Sequence, residues 1–205
     1  MKFDTYIPCN ILKPYIRILA ISESEMANEY KVLPGTELVI GFQYKGKFSY
    51  KDGGNHIALA SSGLTGLMDK YRIFSHTEGI GSVLVFFKEG AAVSFFRHPI
   101  HELFRESISL DHFMLRSELL ILEEKLQSSK TDSEKITIVE HFLISKMNTT
   151  LPDQLVISAI SMIYKSRGNI RMKELLNELH VSQSALKEIR NFTGESPEKF
   201  FNSQH

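Results

Sequence analysis

The chain has 205 residues, long enough for one large domain or two small ones with a substantial core. Apolar residues make up 42% and charged residues 23%, with 24 lysines and arginines against 24 acids. That balance excludes a histone-like coat but leaves room for a local DNA-reading surface. The one cysteine, Cys9, excludes an intrachain disulfide and a cysteine-rich zinc module. Residues 1–6 lack the apolar stretch of a signal peptide, and apolar runs such as 83–87 are too short to cross a bilayer. A cytoplasmic protein with no membrane partner is expected.

From residue 15 to 87, β-branched and aromatic runs alternate with glycines. The predicted strands are 16–21, 37–44, 47–51, 56–60, 71–75 and 82–87. Lys45-Gly46 fits a hairpin tip. Several short strands at this spacing predict an antiparallel barrel or sandwich. Its aromatic residues, Phe42, Tyr44, Phe48, Tyr50, Tyr71, Phe74, Phe86 and Phe87, read first as core and second as the lining of a small-molecule pocket. No single residue is assigned to an effector.

Metal and catalytic patterns are weak. His56 and His76 fall on separate predicted strands, while His98 and His101 stand beside Glu102. No His-x-His pair with a spaced glutamate is present, so these residues are expected as ordinary strand and surface groups. Nothing near Cys9 promises a depressed thiol pKa. Gly53-Gly54 and Gly79-x-Gly81 do not complete a phosphate loop. No enzyme, metal or cofactor is expected, and no catalytic residue is assigned.

After Gly90 the pattern turns helical. Leu115, Leu119, Leu122 and Leu126 share one predicted helical face, read as intramolecular core with a homodimer seam as the alternative. Thr131-Asp132-Ser133-Glu134 is a capping box, followed by the stripe Ile136, Val139, Leu143 and Met147. A helical hairpin is expected.

Residues 153–167 predict a further helix carrying Val156, Ile160 and Ile163, with Gly168 as its stop. A second spans 172–179 with Leu175, Leu176 and Leu179. His180-Val181-Ser182 forms the turn, and a third helix begins at Gln183. His180 would take the left-handed conformation of a tight turn, and Ser182 would cap the third helix. Two short helices joined this way make a helix-turn-helix, whose second helix presents its first residues to the major groove. The candidate DNA-contacting residues are Ser182, Gln183, Ser184, Lys187 and Arg190, with Arg171 ahead of the second helix. From residue 152 onward seven basic residues face six acids, a thin charge for a lone reading head.

Three stretches carry a family resemblance: 170–175, 180–186 and 194–200. They resemble the first helix-turn-helix of AraC/XylS (AraC-like) bacterial transcription regulators. Residues 32–40, 87–92, 95–96 and 99–103 resemble a sensor-domain subgroup of those regulators. The resemblance implies an α+β chain with an N-terminal cupin-like antiparallel β-barrel, a helical linker and a C-terminal partial helix-turn-helix. The implied divisions are 1–105 for the sensor barrel, 106–151 for the linker and 152–205 for the DNA-reading unit. It implies sequence-specific DNA binding under control of a small-molecule effector, with DNA and a homodimer mate as partners. Arg190 stands where the family has an aromatic core residue, and Leu176 where it has a small one. His205 falls where the family's joining helix would begin, so a chain truncated within its DNA-binding domain is expected. The alternative is a non-catalytic ligand-binding or interaction protein whose incomplete helix-turn-helix does not bind DNA.

Overall fold

The computed structural model describes residues 1–96, 100–147, 154–166 and 169–182. Ten strands follow in order: β1 (Lys2–Tyr6), β2 (Ile16–Ser24), β3 (Asn28–Val32), β4 (Val39–Lys45), β5 (Phe48–Asp52), β6 (Asn55–Ala58), β7 (Ser62–Thr65), β8 (Arg72–His76), β9 (Ile80–Phe87) and β10 (Ser107–Ser109). They form two antiparallel sheets, one ordered β1-β2-β9-β4-β7-β10 and the other β3-β8-β5-β6. The predicted runs correspond to β2, β4, β5, β6, β8 and β9. The other four, β1, β3, β7 and β10, are short, and three of them lie at sheet edges. Their sequences are polar or glycine-containing, so partner strands rather than local propensity hold them.

Strand spacing leaves the choice of barrel or sandwich open; the closed barrel that the family resemblance implies does not form. The sheets keep separate edges, β1 and β10 on one and β3 and β6 on the other. Closure would require edge strands to exchange backbone hydrogen bonds. Side chains span the gap instead: Arg72 on β8 donates to Ser107 Oγ on β10 at 2.7 Å and also to the Arg105 carbonyl. Lys45-Gly46 joins β4 to β5 but is not the expected hairpin tip, because β4 pairs with β7 and β9 while β5 pairs with β6 and β8 in the other sheet. Gly46 sits at φ 67°, and an added Cβ would meet Ile80 and Thr77 at 2.9 Å.

Strand alternation gives the six-stranded sheet two unlike faces. Leu19, Ile21, Ile40, Phe42, Val83, Val85 and Phe87 are all fully buried on one face. That face packs against α1 (Arg116–Ser128) and α2 (Asp132–Lys146) through Leu119, Leu122, Leu126, Ile136, Val139 and Leu143. Phe42 meets Phe142 edge-on, with ring centroids 5.9 Å apart. Leu115 departs from the expected leucine row. The helix starts at Arg116, and Leu115 is its extended N-cap residue, 68% exposed. The capping box of α2 is present: Thr131 Oγ1 accepts from the Glu134 amide, and Glu134 Oε2 accepts from the Thr131 amide, both at 3.2 Å.

A polar latch ties β1 to the start of α2. Lys2 Nζ donates to Asp132 Oδ2 at 2.5 Å and to Glu23 Oε2 at 3.1 Å. Tyr6 donates to Asp132 at 3.2 Å, and Tyr44 donates to Glu23 Oε1 at 2.7 Å. The Lys2 hydrogen bond holds the Asp132 carboxyl below its ordinary range, and the Tyr44 hydrogen bond does the same for Glu23.

Two further helices, α3 (Gln154–Lys165) and α4 (Met172–Glu178), have a small core of their own. Ala159, Ile163 and Leu175 are buried there, with Leu155, Met162, Ile170 and Leu179 packed around them.

Candidate functional site

The other face of the six-stranded sheet looks across to the four-stranded sheet, and between them lies a cavity of about 560 Å³. The period of two decides which residues line it. Ser82, Leu84 and Phe86 of β9 line the cavity, whereas Val83, Val85 and Phe87 are buried in the main core. On β4 the lining residues are Val39, Gly41 and Gln43, while Ile40, Phe42 and Tyr44 belong to the main core. From the facing sheet come Tyr30, Val32, Phe48 and Phe74, and from β1 comes Phe3. The size is that of a small-molecule pocket, and the wall is mainly apolar.

The aromatic set thus divides. Phe48, Phe74 and Phe86 line the cavity, and Phe42, Tyr44 and Phe87 lie in the helix-side core. Tyr50 packs with Phe74 and Met68, and Tyr71 is 56% exposed.

Space in the cavity floor comes from small residues in adjacent strands. Gly41 on β4 pairs in register with Gly63 on β7, and both line the cavity. A Cβ added at Gly41 would meet only Leu84 Cδ2, at 3.5 Å. At the deep end a polar row crosses three strands. Ser22 of β2 is the register partner of Ser82 of β9, which is the partner of Gln43 of β4. Gln43 is pinned: its Nε2 donates to the Ala60 carbonyl at 2.7 Å, and its Oε1 accepts from the Phe48 amide at 3.0 Å. Ser82 is fully buried, and among the described residues its Oγ has no hydrogen-bond partner. His76, the register partner of Phe48, donates from Nδ1 to the Thr77 carbonyl at 3.0 Å, and its buried Nε2 has no partner among the described residues.

The titratable side chains lining the cavity are Tyr30 and Glu37. Burial pushes the Tyr30 hydroxyl up from its ordinary pKa, so it is a neutral donor at physiological pH. Glu37 is bound by Arg17, whose Nη2 donates to Oε2 at 2.7 Å. Among the described residues, no group of three or more His, Cys, Asp or Glu side chains could hold a metal ion. His56 lies on the exposed face of β6, 3.3 Å from Ser75 Oγ. His98 lies outside the described residues, as does the side chain of His101. Cys9 is half-buried against the main core, and its amide donates to Glu140 at 2.6 Å. Among the described residues, no helix is long and apolar enough to cross a membrane.

Of the candidate DNA-contacting residues, Arg171 and Ser182 are described and both are exposed. Arg171 is the N-cap of α4, and its amide donates to Glu174 Oε2 at 3.0 Å. Gln183, Ser184, Lys187 and Arg190 lie outside the described residues, as does Gly168. The turn ahead of them is formed. His180 adopts φ 52°, its amide donates to the Asn177 carbonyl at 3.1 Å, and the Val181 amide donates to Leu176 at 3.1 Å. Leu176 is buried at 7% exposure.

Sequence reasoning missed the polar row of Ser22, Ser82 and Gln43 and the paired Gly41 and Gly63. The signal was present in β9, where small and polar residues share a parity with Leu84 and Phe86. It was uninterpretable without knowing which parity faces the helices.

No curated protein sequence matches this chain. A family model described as "Domain of unknown function (DUF6597)" matches residues 4–109. Among solved structures, unsaturated fatty acid bound ToxT from Vibrio cholerae is similar at TM-score 0.43 and 15% identity, over 90% of this chain and 76% of that one. The AraC-like transcriptional activator CuxR is similar at TM-score 0.39 and 11% identity, over 98% of this chain and 91% of that one. A predicted oxalate decarboxylase from Thermotoga maritima gives TM-score 0.32 and 9% identity, over 42% of this chain and 79% of that one.

Proposed function

Starting from a chain that belongs to the DUF6597 family, a domain of unknown function, we propose a non-enzymatic transcription regulator of AraC type. In this reading the cavity between the sheets is the sensor site, α1 and α2 are the linker, and residues 152–205 carry the DNA-reading unit. The observation that carries the reading is the turn after α4. A short helix braced on α3 through Ile163 and Leu175 ends in a left-handed His180, with exposed Ser182 two residues on. A helix-turn-helix needs that brace and that reversal, so that the next helix leaves at a fixed angle into the major groove. Gln183, Ser184, Lys187 and Arg190 would then be offered to bases and phosphates, with Arg171 placed for a phosphate.

The two faces of the six-stranded sheet supply a mechanism. A ligand against Gly41, Ser82 and Leu84 touches the strands whose opposite face carries α1 and α2. Small shifts of β4 and β9 would then move the helical pair and reset the DNA-reading unit. Action as a homodimer belongs to the same proposal, because one unit with seven basic and six acidic residues attracts DNA weakly. That near-balance also favours the alternative of a ligand-binding protein without DNA contact.

One titration separates the two. Anisotropy of a labelled mixed-sequence duplex should show affinity falling linearly with the logarithm of salt. Lys187→Ala and Arg190→Ala should each weaken binding and reduce the slope by about one. Enrichment from a randomised duplex pool should then return one preferred sequence. No binding at low salt rules out the regulator and leaves the alternative.

A further inference from the structure

The chemistry of the cavity narrows what it can hold. Its wall is mainly apolar; besides Tyr30, Thr36, Glu37 and Thr65, its polar side chains are Ser22, Ser82 and Gln43, which stand side by side across three strands at its buried, deep end. Among the described residues no lysine, arginine or histidine lines it; Met1, which carries an ammonium group, lines it at an exposed position, and the one carboxylate, Glu37, is already bound by Arg17. Arg72 reaches toward β10 and is bonded there to Ser107 and the Arg105 carbonyl. A ligand carboxylate or phosphate taken to the deep end would lose its water and meet no counter-charge, a heavy penalty. An ammonium group would fare no better, because serine and glutamine supply dipoles without charge. A neutral hydroxyl or carbonyl meets no such penalty. It would also satisfy Ser82 Oγ, a fully buried hydroxyl without a partner among the described residues. Buried polar groups in folded proteins rarely stay unsatisfied, so this orphan marks where a ligand atom belongs.

We propose that the cavity binds an uncharged, largely apolar molecule whose single polar end hydrogen-bonds Ser82 at the deep end, its apolar body lying over Gly41 and Gly63 between the sheets. The inference rests on the reading of this cavity as the sensor site and names the ligand class that the site accepts. Gly41 and Gly63 matter because they leave the floor free of side chains, and Gln43, pinned at both ends of its amide, keeps the polar row rigid. Charge is the discriminating property, more than length or ring content.

The test uses two probes of one chain length, decanol and decanoate, titrated calorimetrically into the full chain at about pH 8, where the acid is ionised. Decanol is expected to bind at least about tenfold more tightly than decanoate. Ser82→Ala should weaken decanol about fivefold to tenfold by removing its partner, and leave decanoate unchanged. Gly41→Val, which fills the floor, should weaken decanol by more than about tenfold while circular dichroism remains native. Decanoate binding as tightly as decanol overturns the assignment, as does the absence of binding by either probe. Decanol binding that a folded Gly41→Val variant leaves intact overturns it too. If that variant does not fold, the comparison of the two probes on the unaltered chain still decides. Duplex binding measured on the same samples keeps the two proposals apart. Decanol bound by a chain that never binds DNA removes the regulator and leaves the ligand class. Salt-dependent DNA binding without decanol binding does the reverse.

Discussion

One sheet of this protein serves two purposes on its two faces. Toward α1 and α2, β4 and β9 present Ile40, Phe42, Val83, Val85 and Phe87, all fully buried and interlocked with helical leucines. Toward the second sheet, the same strands present Gly41, Gln43, Ser82 and Leu84 around open space. The first face holds the fold together, because large apolar side chains at native density supply the stabilisation. The second is relieved of that task, which lets it stay hollow and partly polar. A cavity is tolerable here because the sheet that walls it is anchored from behind.

The sharpest way to break this contrast uses neighbours in sequence. Phe42→Ala should destabilise by about 3–5 kcal/mol in urea unfolding, since it empties a packed site against Phe142. Gly41→Ala, one residue away on the opposite face, should be neutral or stabilising by about 0.5–1 kcal/mol, because its Cβ would meet only Leu84 Cδ2, at an ordinary contact distance of 3.5 Å. Comparable losses at both positions would show that the cavity face is also structural.

A smaller contrast uses two buried serines. Ser62 Oγ donates to Glu123 on α1 at 2.6 Å, and Ser62→Ala should cost about 1–2 kcal/mol by thermal or urea unfolding. Ser82 has no partner to lose among the described residues, so Ser82→Ala should leave stability unchanged or raise it slightly. An equal loss at Ser82 would mean that its hydroxyl is satisfied within the folded chain.

The smallest expected effect lies in the latch between β1 and α2. Asp132 and Glu23 are held below their ordinary range by Lys2 and Tyr44, respectively. A carboxyl whose pKa is lower folded than unfolded contributes fully above the unfolded value, about 4, and loses that contribution as pH falls through the folded one. Stability should therefore decline in acid below about pH 4. Asp132→Asn should remove about 1 kcal/mol at neutral pH and flatten the acid limb of the profile. An unchanged acid limb in that variant would assign the decline to other carboxyls.

The legibility of the molecule followed the range of its interactions. The capping box at Thr131 and Glu134, the tight turn at Gly46 and the left-handed His180 were readable, because each is set by residues within one turn of the chain. The hairpin expected at Gly46 does not form, because its two strands join different sheets. The stripe of Leu119, Leu122 and Leu126 was readable for the same reason, although Leu115 was included wrongly because periodicity does not say where a helix starts. Strands β1, β3 and β10 were not readable. Polar sequences such as Lys2–Tyr6 become strands only when a partner such as β2 supplies the hydrogen bonds.

By itself the sequence determined the order of β-rich and helical segments, the caps and turns between them, and the alternation along each strand. Those properties arise from backbone sterics and from side chains close together in the chain. Only the tertiary structure decided which parity of β4 and β9 faces the helices, that the two sheets stay open rather than closing as a barrel, and that Ser22, Ser82 and Gln43 share one row. Those outcomes depend on contacts between residues tens of positions apart, whose pairing is fixed by register and packing rather than by local preference.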